Sequence, residues 1–146
     1  MTVAAAMNLA AASAVSAQTL SVTGAPTLMR ISSTAAAGLN PTSIIGRAGG
    51  SYTITTPTAN RTYAITAQLN TNTPTGSTIS VTMQVPAGAT SLGPVALDVT
   101  ARNVVTGIVK NVNFTGNITY DFAATAAAGV IPNSSRTVTF TVIRFP

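Results

Sequence analysis

Histidine, glutamate, cysteine and tryptophan are absent from the chain, and only Asp98 and Asp121 carry a negative side chain. Each absence removes a chemistry. Without His or Cys there is no Ser-His-Asp or Cys-His nucleophile, and the side chains most used for proton transfer near neutral pH are missing. Zinc loses its preferred ligands. Calcium wants several carboxylates, and two acids leave room for one weak site at most. A carboxylate pair would need Asp98 and Asp121 together. Each sits between apolar residues of its own run, Leu97 and Val99 or Tyr120 and Phe122, so alternation turns both outward as solvated positions. The stretch "GRAGGSY" (46–52) has glycines but lacks the Lys-Ser/Thr ending of a phosphate loop. The expectation is no catalytic, cofactor-binding or metal-ligating residue, no enzyme activity, no cofactor and no small-molecule substrate. The lack of Cys excludes disulfides and thiol chemistry without fixing the compartment.

Charge is equally scarce. Charged residues make up 6% of the chain, against about 25% in an average soluble domain. The cations are Arg30, Arg47, Arg61, Arg102, Lys110, Arg136 and Arg144, and the net charge is +5. No two are adjacent. Nucleic-acid binders cluster such residues and interleave aromatics, so a nucleic-acid partner is not expected. A mild attraction to anionic membrane surfaces or acidic proteins is compatible with the balance.

What the chain has is alternation. In "STISVTMQVP" (77–86), Ile79, Val81, Met83 and Val85 alternate with small polar residues. The same period recurs in "TLSVTG" (19–24), "TLMRIS" (27–32), "SYTITT" (51–56), "RTYAITAQL" (61–69), "VALDV" (95–99), "VNFTGNITYDFAAT" (112–125) and "RTVTFTVI" (136–143). Residues 33–50 read as a loop, with Gly38, Asn40-Pro41 and Gly49-Gly50 as turn signals and Ile44 and Ile45 as anchors to the core. "TARNVVTGI" (100–108) breaks the period and reads as one helical turn. Gly116 marks a bend, a bulge or a break between strands. The runs 61–69 and 77–86 read as a hairpin. With 46% apolar residues, the chain can bury a core as one domain. Eight or nine short strands predict an all-β, antiparallel two-sheet sandwich of immunoglobulin-like type, with a closed barrel as second choice.

Residues 1–17, "MTVAAAMNLAAASAVSA", read as a signal peptide or Ala-rich leader, because small residues at Val15 and Ala17 match a secretory cleavage pattern. Residues 18–146 are then the single sandwich domain. The predicted location is exported, periplasmic or at the cell surface. Tyr52, Tyr63 and Tyr120 share the apolar phase of their strands, which predicts core packing over a sugar-binding face. Asp98 and Arg102, four apart, predict a surface ion pair, and Asp121 predicts one with Arg136 or another Arg. Four sequons begin at Asn60, Asn113, Asn117 and Asn133 in a chain rich in Asn, Thr and Ser. Phe145 is expected to cap the sandwich end or to dock on a neighbour.

The phrases "TPTGSTISVTMQVPAGATSLGPVALDVTARNVVTGI" and "ITYDFAATAAAGVIPNSSRTVTFTV" resemble exported β-sandwich proteins of environmental bacteria that carry no assigned activity. The resemblance covers roughly residues 50–143 and brings no catalytic motif. It implies a secreted structural protein, and for some relatives a membrane-extrinsic subunit of a reaction-centre–light-harvesting photosystem. The expected function is that of a non-catalytic extracytoplasmic protein that works by protein–protein interaction in a larger assembly. A pilus-like filament subunit is one alternative, completing its neighbour with a strand carrying Leu20 and Val22. A carbohydrate-binding module is the other, and it requires exposed aromatics.

Overall fold

The computed structural model describes residues 17–31, 38–131 and 133–145. Among them run nine strands: β1 (Thr19–Thr23), β2 (Ile44–Thr55), β3 (Thr62–Leu69), β4 (Ser77–Met83), β5 (Thr90–Ser91), β6 (Val95–Ala96), β7 (Arg102–Ile108), β8 (Asn113–Ala124) and β9 (Val138–Phe145). They build two antiparallel sheets, ordered β1-β2-β8-β4-β6 and β5-β7-β3-β9. The two-sheet sandwich predicted from alternation is therefore the fold. Among the described residues the only helical element is a short 3₁₀ turn, Ala126–Ala128. No helix among the described residues is long and apolar enough to cross a membrane.

The core follows the strand period. Ile54, Tyr63, Ile65, Val81, Met83, Val105, Ile108 and Ile118 are all buried. Burying each such side chain is worth about 1.5–3 kcal/mol before the entropy of ordering is set against it. β3 lies between β7 and β9 and buries even Ala64 and Thr66, residues of its other face. Both are small, so bulkier neighbours can shade them.

Several local expectations fail. The runs 61–69 and 77–86 are not a hairpin, since β3 and β4 lie in opposite sheets. Periodicity shows which side of a strand is apolar, not which sheet it joins. Residues 44–50 are not loop but the first half of β2, and Ile45 is 79% exposed rather than an anchor. Residues 102–108 are strand β7, not a helical turn. Their alternation is broken by bulges, seen as shifts in the β3–β7 register. Residues 27–31 form no strand, and β6 stops at Ala96, leaving Val99 exposed. The leader expectation lies, except for Ala17, outside the described residues, as do residues 32–37.

Candidate functional site

Two strands flank the molecule's most distinctive geometry, β2 inside one sheet and β9 at the margin of the other. β2 pairs with β1 and with β8. Its register against β8 slips twice, between Ile44 and Arg47 and between Ala48 and Ser51. Gly46 and Gly50 adopt φ of 65° and 103° there, backbone that favours glycine and suits bulged positions. Asp121 on β8 secures the first slip. Its Oδ1 accepts the Gly46 N–H at 2.7 Å. The predicted pairing of Asp121 with Arg136 or another Arg does not form, the one ion pair among the described residues being Asp98–Arg102. Arg136 instead donates to the carbonyl oxygens of Asn72 and Ser135, each at 2.9 Å.

At the second slip, tyrosine and glycine pack reciprocally across β2 and β8. Tyr120 on β8 lies over Gly49 on β2, where an added Cβ would come within 2.2 Å of Tyr120 Cε2. Tyr52 on β2 faces Gly116 on β8, and a Cβ there would meet Phe114 Cε1 at 2.6 Å and Tyr52 Cε1 at 3.0 Å. Gly116 is thus neither bend nor break but the space that admits the Tyr52–Phe114 ring pair, with centroids 6.0 Å apart. Tyr52, Tyr63 and Tyr120 are all buried, as their phase predicts, and none offers a sugar-stacking face. The Tyr52 hydroxyl donates to the Gln84 carbonyl. Burial pushes the Tyr52 and Tyr120 hydroxyls up to about 12.

The two carboxylates have separate partners. Asp98 pairs with Arg102 as expected, accepting from Nε at 3.2 Å and from the second guanidinium nitrogen. Asp98 also accepts the Thr100 N–H. The Arg102 hydrogen bond first, and the Thr100 N–H next, hold its carboxyl below the usual carboxylate range. Among the described residues no group of three His, Cys, Asp or Glu could hold a metal. The four sequon asparagines are all exposed. Leu20 and Val22 belong to β1, which is seated on this chain's own β2.

β9 is the contrasting case. It ends its sheet, and only its β3 side is paired. The register runs from Thr62 opposite Phe145 to Leu69 opposite Val138 without a shift. Asn70 N–H donates to the Thr137 carbonyl and Thr137 N–H to Asn70 Oδ1, both at 3.0 Å, so Thr137 faces the β3 side. Antiparallel alternation then turns the backbone N–H and C=O groups of Val138, Phe140, Val142 and Arg144 to the open side. Every β9 residue except Arg144 is β-branched or aromatic. The other sheet margins are shorter: five residues in β1 and two each in β5 and β6.

One feature was invisible to the charge count. Arg61 precedes β3, Lys110 follows β7 and Arg144 lies near the end of β9, and the adjacency of β7, β3 and β9 gathers all three at one end of the sheet. They line a cleft of about 540 Å³ with Asn60, Thr62, Val109 and Phe145. Only the strand order could have revealed this. A second cleft, of about 590 Å³, lies between the segment Pro26–Ile31 and the loop after β8, over Ile79 and Phe122. Compared with known families, curated proteins and solved structures, the chain matches none.

Proposed function

We propose that this is a non-catalytic, extracytoplasmic interaction protein that stabilises a larger assembly by accepting an extended segment of a partner protein along β9. The open β9 margin carries the reading. Long, flat margins of strong β-formers are normally guarded by Lys, Pro, bulges or a covering element. β9 itself carries no Lys, Pro or bulge, only Arg144 near its far end, and among the described residues no strand pairs with its open side, although β1 of the other sheet approaches it. An added strand would satisfy the outward backbone groups at about 1 kcal/mol net per hydrogen bond. An extrinsic subunit of a membrane complex, such as the photosynthetic assembly implied by the sequence resemblance, is one setting. A surface filament is another, in which the added segment comes from a second copy.

The test places two ammonium groups beside the margin, in Thr139→Lys/Thr141→Lys. Both threonines are exposed, so the thermal midpoint should stay within error of wild type. Wild-type protein purified in mild detergent from its native source should retain a stoichiometric partner that the double variant loses. A partner identified as this same chain selects the filament setting. Wild type emerging alone at monomer mass, or a partner held equally by both proteins, would sink the proposal.

A further inference from the structure

The cleft at the β7-β3-β9 end brings together three cations from distant parts of the chain with no acidic side chain among the described residues that line it. Arg61, Lys110 and Arg144 are exposed, and no hydrogen bond or ion pair engages their side chains among the described residues. The only two carboxylate side chains are occupied elsewhere, Asp98 by Arg102 and Asp121 by the Gly46 N–H. Three like charges around one hollow repel each other in the absence of an anion. Their geometry is also chemically mixed. Two guanidinium forks and one ammonium suit the several oxygens of a tetrahedral oxyanion, and Asn60 adds amide donors. The walls between them are apolar: Val109 is 44% exposed and Phe145 36%.

We propose that this cleft binds a phosphate group, and that its apolar wall fits the phosphate of an anionic phospholipid headgroup. Cations interleaved with exposed aliphatic and aromatic side chains match the interfacial layer of a bilayer, where charge meets headgroup and apolar atoms meet the upper acyl region. The site does not rest on the β9 reading. It uses the side chains at the sheet end, whereas strand addition uses backbone groups along the margin.

The probes are inorganic phosphate and vesicles of phosphatidylglycerol in phosphatidylcholine. Two variants of equal charge separate a built site from general attraction: Arg61→Ser/Arg144→Ser at the cleft and Arg30→Ser/Arg47→Ser away from it. Wild type should sediment with the anionic vesicles and not with pure phosphatidylcholine. The cleft variant should lose about 30-fold in vesicle affinity, and the remote variant should lose far less, with both melting near the wild-type midpoint. In a ¹⁵N-labelled sample, saturable amide shifts confined to residues 60–62, 109–111 and 143–145 on adding phosphate would show that the free ion suffices. Vesicle binding without such shifts would assign the lipid as the source. Equal loss in both variants, or binding of neither probe, overturns the proposal.

Discussion

β2 and β9 are both built from β-forming residues, yet the fold treats them in opposite ways. β2 is paired on both sides, slips register twice and relies on glycine where its backbone bends. β9 is paired on one side only and keeps perfect register over its whole length. The slips of the irregular strand lie within residues 44–51, where β8 is its ladder partner, since β1 pairs with β2 only from Ser51 to Thr55. The regular strand ends its sheet, with β3 as its one ladder partner and β1 of the other sheet approaching it. Bulges are common guards of sheet margins, and here they lie in the part of β2 beyond the reach of β1, whereas β9 has none.

The contrast predicts sharply unequal sensitivity to substitution. Gly50→Ala is the harshest probe. A Cβ there would meet the Thr23 carbonyl oxygen at 2.1 Å, on backbone already at φ 103°. We expect a loss of about 3 kcal/mol or more in chemical denaturation. Thr141→Ala on β9 should cost less than about 0.5 kcal/mol. Comparable losses at the two positions would erase the distinction.

Alkaline pH sharpens the same contrast. The Tyr52 and Tyr120 hydroxyls stand at about 12 in the fold against 10.0 for the free side chain. The unfolded chain therefore releases these protons first. Their contribution is whole below pH 10 and is lost as pH rises towards about 12. Denaturation midpoints followed across that window should fall, and the fall should flatten in Tyr52→Phe/Tyr120→Phe. An unchanged slope in the double variant would show that the two hydroxyls are not responsible.

Asp121→Ala comes next. It leaves the bulged Gly46 N–H without its carboxylate acceptor and should cost about 1–2 kcal/mol, while Asp121→Asn, which retains an acceptor oxygen, should recover part of it. Smallest of all is Asp98→Ala. The Asp98–Arg102 pair is solvent-screened, so the midpoint should barely move at physiological salt, and since its carboxyl is held below the usual range, what little it contributes should fade as pH falls through the acid range.

How much of this was legible beforehand follows the reach of each physical signal. Side-chain phase depends only on neighbours two residues away, so the burial of Ile54, Ile65, Val81 and the three tyrosines could be read directly. Gly49-Gly50 and Gly116 looked like chain breaks because glycine marks both turns and close approaches. Only the partner strand shows that Tyr120 and Tyr52 occupy the space they leave. Pairing between sheets is still less local. The run 70–76 looked like a hairpin loop, yet it carries the chain across the sandwich. The Asp98–Arg102 pair was readable because it spans four residues, whereas the cleft of Arg61, Lys110 and Arg144 depends on three strands far apart in sequence.

From β2 onward the chain changes layer at every connection, so no two consecutive strands after the first pair are neighbours. A nascent or clipped chain ending before Asn113 holds one sheet in two fragments, β1-β2 and β4-β6, because β8 is the strand that bridges them. The molecule thus has no independently viable half. Its assembly waits on a late keystone strand, which places it among slow, non-local folders and makes the stretch from Asn113 onward the part whose loss dismantles the layer that the earlier strands began.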